Sequence, residues 1–151
     1  INMFRRYEPE RINYVRSDGW EEIELAVDSG ASETVIGTDM AESADLVEGK
    51  EFRAKIEYEM ADGQRVPNFG EKSFVVVDDE GLRRSMKAQV CDISKGLLSV
   101  SRVVNAGNKV VFAPGGSYIE DGVTRERMWM CEKRGIYMLK LWTKKNLSLY
   151  F

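Results

Sequence analysis

Ile23-Glu24-Leu25-Ala26-Val27-Asp28-Ser29-Gly30-Ala31-Ser32 is the stretch whose reading decides the fold. An apolar strand carries one carboxylate, Asp28, onto a tight turn made of a hydroxyl residue, a glycine and a small residue. Two such turns meeting face to face would place two carboxylates about 3 Å apart, where they cannot both ionise and must share one proton. One oxygen then activates a water while the partner carboxyl donates to a substrate carbonyl. Gly30 permits the second loop to approach, because no Cβ intervenes, and the Ser29 hydroxyl is placed to donate across to it. The same residues also suit a plain Asp-Ser-Gly turn ending a buried strand.

Composition narrows the chemistry. The 151 residues predict one domain with room for a core. Apolar content of 43% and charged content of 31% describe an ordinary globular chain. Histidine is absent, which removes Ser-His and Cys-His hydrolases in their usual forms, HExxH metallopeptidases and His-containing zinc sites. Cys91 and Cys131 stand far apart with no CxxC, so no structural metal and no cofactor is expected, and both are read as reduced, partly buried thiols. No phosphate-cradling glycine motif occurs. Carboxylates remain the strongest candidates. No apolar run approaches the roughly 20 residues that span a bilayer, and Ile1–Arg6 is not a secretory segment, so an intracellular, cytoplasmic protein without a membrane partner is expected.

Along the chain, residues 1–20 read as a polar leader closed by Asp18-Gly19. Strands are predicted over Glu21–Val27, Thr34–Ile36, Glu51–Met60, Ser73–Val77, Met86–Cys91, Lys109–Phe112, Tyr118–Glu120, Val123–Met130 and Gly135–Trp142. Asp39–Val47 is at best a short helix. Leu97–Ala106 is the stronger helix, stopped by Gly107. Arg53–Met60, the turn Ala61-Asp62-Gly63 and the segment from Gln64 form a hairpin, kept irregular by Pro67 and Gly70. It reads equally as an ordinary surface hairpin or as a flap whose backbone pairs with an extended peptide. Leu97 and Leu98 are read as pocket walls or as core at a helix start.

The order of strand, Asp-Ser-Gly-Ala, hairpin, apolar pair, helix and final strand resembles the retropepsins, the aspartic peptidases of retroviruses and retrotransposons. Leu25–Ala31 matches the apolar-apolar-Asp-[Ser/Thr]-Gly-Ala signature. Ala61-Asp62-Gly63 matches the flap Ala-x-Gly, Leu97-Leu98-Ser99 the triplet before the helix, and Gly107–Phe112 the closing strand. Leu97–Arg102, Gly107–Phe112 and Gly135–Leu139 look most like copia-type retrotransposon polyproteins. The triplet's usual Gly is Ser99, and Ser32 and Val100 stand where many members have a paired Asp and Arg, so no ion pair is expected there.

The resemblance implies an all-β fold, a small closed retropepsin-like barrel at 21–112 with one short helix; residues 113–151 exceed the minimal family domain and read as a β-rich basic extension. It implies an endopeptidase acting on a polyprotein or peptide substrate, located in a retrotransposon particle, with Asp28 catalytic and Ser29 and Gly30 shaping its loop. Ala31, Ala61, Asp62, Gly63, Leu97 and Leu98 would bind substrate. A single Asp-Ser-Gly implies a homodimer, since Asp18, Asp62 and Asp121 sit in ordinary turns. Phe151 would suit the acyl side of a self-processing cut. Two other readings stand beside this one. The barrel can serve as a non-catalytic assembly or interaction module. Alternatively, residues 125–145, with seven Lys/Arg against Glu126 and Glu132 and with Trp129, Tyr137 and Trp142 among them, can bind nucleic acid.

Overall fold

The computed structural model describes residues 19–145, so the leader before Gly19 and Phe151 lie outside the described residues. The fold is all-β. Six strands close into a barrel in the order β1 (Trp20–Asp28), β7 (Gly96–Ser99), β2 (Val35–Gly37), β6 (Arg83–Cys91), β5 (Gly70–Val77) and β12 (Ile136–Lys144), which pairs back to β1. β11 (Cys131–Lys133) adds to the outer edge of β12. Two small sheets stand beside the barrel. One is the hairpin β3 (Glu57–Glu59) and β4 (Arg65–Pro67); the other is β8 (Asn108–Val111), β9 (Tyr118–Asp121) and β10 (Arg127–Trp129).

Alternation along β1 sets the inside of the barrel. Ile23 and Leu25 are essentially unexposed, and Ile36, Val76, Ala88, Val90, Leu98, Leu139 and Leu141 meet them from the other five strands. Full burial of each Ile, Leu or Val side chain among them stabilises by about 1.5–3 kcal/mol. β1 pairs antiparallel with β12, Ile23 opposite Leu141 and Leu25 opposite Leu139. On its other side it pairs in parallel with β7, Leu25 opposite Gly96 and Asp28 opposite Ser99.

Several expectations need correction. Leu97 and Leu98 are strand, not helix, because β1 and Val35 take their backbone groups. The helix α2 starts only at Val100 and ends at Asn105, with Ser99 as its N-cap. Asp39–Val47 holds no helix. Ala41 adopts a left-handed backbone (φ 51°), its N–H donates to Glu21 Oε2 at 2.8 Å, and buried Lys72 Nζ donates to the Met40 and Ala41 carbonyls at 3.1 Å. Side chains therefore satisfy this loop in place of a helical ladder. The front of Glu51–Met60 is a helical turn, α1 (Lys50–Arg53), which the left-handed Lys55 breaks before β3. Val123–Met130 is strand only from Arg127, since Arg125 turns the chain at φ 68°.

The strand that closes the barrel is β12, where the resemblance pointed to Gly107–Phe112. β8 has four residues and pairs with β9, whereas nine-residue β12 carries Leu139 and Leu141 inward against β1. The segment after residue 112 thus contributes a wall of the barrel. Cys131 is exposed while Cys91 is fully buried, and both thiols are free.

Leu141→Ala is expected to destabilise the protein by about 2–5 kcal/mol, the range for deleting a buried leucine side chain. A urea titration followed by tryptophan fluorescence measures it. A loss below about 1 kcal/mol would mean that β12 does not close the barrel in solution.

Candidate active site

Asp28 is the last residue of β1 and half-buried; Ser29 and Gly30 beyond it are exposed. Asp28 Oδ1 accepts the Gly30 N–H at 2.8 Å, which folds the carboxylate over its own turn. A methyl group on Gly30 would stand 3.3 Å from that oxygen, so the glycine keeps this face of the turn slim.

The turn is clamped from beneath by one residue. Ser99 is wholly buried, and its hydroxyl donates to the Ala31 carbonyl at 2.7 Å. The same oxygen accepts the Arg102 N–H at 3.2 Å, capping α2. The Ser99 N–H in turn donates to Thr34 Oγ1 at 3.1 Å. Thr34 is buried, and its carbonyl accepts the Gln89 N–H from β6 at 2.8 Å. The loop from Asp28 to Thr34 is therefore anchored at Ala31 and Thr34 onto the β7–α2 junction, and Ser29 and Gly30 form its free crest.

An ion pair reinforces the clamp from outside. Arg102 Nε donates to Glu33 Oε2 at 3.0 Å, and a second guanidinium N–H reaches Glu33 Oε1. Ser32 and Val100 carry no charge, yet the charges one position after the first and two after the second join the same two segments. The bidentate Glu33 contact holds the Arg102 pKa above its ordinary value.

The structure brings Asp28, Ser29, Gly30, Ala31, Leu97 and Leu98 together through the β1–β7 pairing, with Ala26 opposite Leu97 and Val27 opposite Leu98. Leu98 points into the barrel core, whereas Leu97 is half-buried. Leu98 also lines a cavity of about 540 Å³ between the barrel and the β8–β10 sheet, with Val103, Ile119, Met128 and Leu141; Glu33 and Thr34 at the foot of the Asp28 loop reach its wall, whereas Asp28 to Ala31 do not.

Ala61, Asp62 and Gly63 lie apart from these, at the exposed tip of the β3–β4 hairpin. Gly63 has φ +86°, its N–H donates to the Met60 carbonyl at 2.9 Å, and Asp62 Oδ1 accepts the Gln64 N–H at 2.9 Å. The hairpin root is fixed: Tyr58, Met60 and Val66 pack on Val35, Cys91 and Ile93. Asn68 Nδ2 donates to Tyr58 OH at 3.2 Å and to Gln89 Oε1 at 2.8 Å. Burial raises the Tyr58 pKa, the Asn68 bond opposing it. Val35 and Gln89 thus belong to both the hairpin root and the strands below the Asp28 loop.

Ser99, Thr34, Glu33 and Arg102 are the supporting residues that the sequence reading missed. A serine one position before a helical run is an N-cap signal, and it could have moved the helix start to Val100. Burial pushes the Cys91 thiol up to about 11, which leaves it protonated at neutral pH and unsuited to nucleophilic work. Among the described residues, no group of three or more Cys, Asp or Glu is placed to hold a metal ion, and no helix is long and apolar enough to cross a membrane. No family model matches the chain, and the comparisons with curated proteins and with solved structures find no match.

Ser99→Ala is expected to cost about 1–3 kcal/mol of stability, because the Ala31 carbonyl and the Arg102 N–H lose their buried partner; thermal unfolding measures it, and an unchanged midpoint would refute the clamp. In the native protein a disulfide reagent at pH 8 should modify Cys131 fast and Cys91 only on unfolding. Rapid reaction of both thiols would contradict the burial of Cys91.

Proposed function

We propose that the chain is an aspartic endopeptidase of retropepsin type, most similar to those of copia-type retrotransposons, which cleaves an extended polyprotein segment as a homodimer. The observation that carries this reading is the Asp28 turn: a carboxylate at the end of a core strand, folded over its own Asp-Ser-Gly turn, in a loop that Ser99 anchors at Ala31 and Thr34. Preorganisation of that kind suits a group that must meet a reacting carbonyl in one geometry.

One chain offers one such carboxylate, so the second comes from another copy across a two-fold axis. Both edges of β1 are already paired, with β12 and β7, so the copies meet through the turns and not by adding β1 to β1. The two Asp28 groups share a proton. The ionised one removes a proton from water as it attacks the scissile carbonyl, the protonated one donates to the carbonyl oxygen, and a proton passes to the leaving amine. The exposed Ala61-Asp62-Gly63 tip supplies backbone groups that pair with an extended peptide, while its packed root fixes the tip's height. Ala31 and Leu97 line the near side of that path.

Asp28→Asn is expected to lower peptide cleavage at least about a thousandfold with the fold intact, since it removes both the acid and the base. Wild-type cleavage should peak on the acid side of neutral and be blocked by pepstatin, because the pair must hold one proton. Cleavage by a strictly monomeric species, by the Asn variant, or with a rate still rising through about pH 8 would overturn the proposal. Sedimentation equilibrium with and without peptide, beside the pH–rate profile, provides the readouts.

A further inference from the structure

The basic, aromatic stretch at 125–145 does not stay together in the fold. Trp142 is in the core at 3% exposure, and Tyr137 packs on Phe112 with ring centroids 4.9 Å apart. Lys133 and Lys140 pair with Glu24 and Glu22 of β1. Arg134, Lys144 and Lys145 stand elsewhere on the surface, while Arg125, Arg127 and Trp129 share one outer face of the β8–β9–β10 sheet, which recruits residues from outside the stretch.

The register of that sheet sorts its side chains into rows. Lys109, Glu120 and Arg127 lie side by side, and Val111, Tyr118 and Trp129 form the next row on the same face. Ile119 and Met128, between them, turn the other way into the core. Glu120 is nearly unexposed, and Arg127 Nε, Arg125 and Lys109 Nζ surround its carboxylate at 2.9, 3.4 and 3.9 Å. These contacts, led by the Arg127 hydrogen bond, hold the Glu120 pKa below its ordinary value. The three cations thus ring a single carboxylate, and the cationic side chains remain 43–74% exposed. The neighbouring acids Asp121 and Glu126 are turned to Arg84 at the wall of the interior cavity.

The aromatic row is ordered as well. The Arg127 guanidinium lies 4.0 Å over the Tyr118 ring, and the Tyr118 and Trp129 centroids are 5.0 Å apart. A Cβ on Gly116 would come within 2.7 Å of Trp129 Cζ3, so that loop holds one edge of the indole, yet Trp129 stays 48% exposed. A cation row and an aromatic row two residues apart are separated by roughly 7 Å, comparable with the reach from phosphate to base within one nucleotide. An acidic peptide would satisfy the cations and leave the rings without a role.

We propose that this face binds a short stretch of single-stranded nucleic acid, with phosphates on Lys109, Arg125 and Arg127 and a base stacked on Trp129. It is separate from the Asp28 turn, so the two proposals stand or fall independently.

Fluorescence anisotropy of a labelled short oligo(dT) tests it on the whole chain. Saturable binding is expected. It should weaken on the order of 15- to 20-fold between about 50 and 200 mM salt, the dependence for three phosphate contacts on a single strand. Trp129→Ala should weaken it about fivefold or more, the size of a lost stacking contact, and Trp129→Phe should restore most of it. Arg125→Ala should lower affinity and flatten the salt slope, whereas Lys140→Ala should leave both unchanged. Circular dichroism melts confirm that the variants are folded. Absence of saturable binding at low salt, wild-type affinity in Trp129→Ala, equal affinity for duplex, or equal displacement by polyglutamate at matched charge would each overturn the proposal.

Discussion

The pairing of β1 on both sides is the constraint on which the remaining structure depends. A strand held antiparallel by β12 and parallel by β7 has no freedom to slip, because a one-residue shift would turn Ile23 and Leu25 out of the core. That fixed register puts Asp28 opposite Ser99, and the position of the carboxylate follows from the packing of leucines several residues away. The candidate site is a by-product of barrel closure as much as of its own turn residues.

Buried polar groups finish what the core begins. Lys72 enters the interior only because two carbonyls of the loop after β2 receive its ammonium, while Glu21 takes N–H groups of the same loop. Ser99 and Thr34 do the same for the Asp28 loop. Both loops thereby avoid the penalty of unpaired backbone groups without being helix or strand. Glu33 and Arg102, at the surface, contribute orientation more than stability, since exposed ion pairs are worth little.

The fold class was legible because the signals were local. Apolar alternation in Ile23–Val27, turn glycines and the Ala61–Gly63 bend each report on their own neighbourhood. The failures came where a distant partner overrode local preference. Leu97 and Leu98 have helical spacing with Val100, Val103 and Val104, but β1 claims their backbone. Asp39–Val47 reads as helical only if Glu21 and Lys72 are left out. The closing strand was misplaced because nothing in Ile136–Lys144 announces that its partner is Trp20–Asp28. At the site, Asp28 and its turn were plain, whereas Ser99 looked like a lapse from glycine until its hydroxyl was seen to join two segments.

β12 also governs when the protein can exist at all. The β5–β6 pairing joins neighbours in the chain and can form early, but Ile23 finds Leu141 only across nearly the whole described sequence. Contacts of such high sequence separation are slow to form. During synthesis the β12 edge of β1 therefore stays open, and the barrel beneath the Asp28 turn cannot close until Ile136–Lys144 has left the ribosome. A chain of this topology keeps its barrel open while it is being made, and the delay is set by where its last barrel strand is encoded.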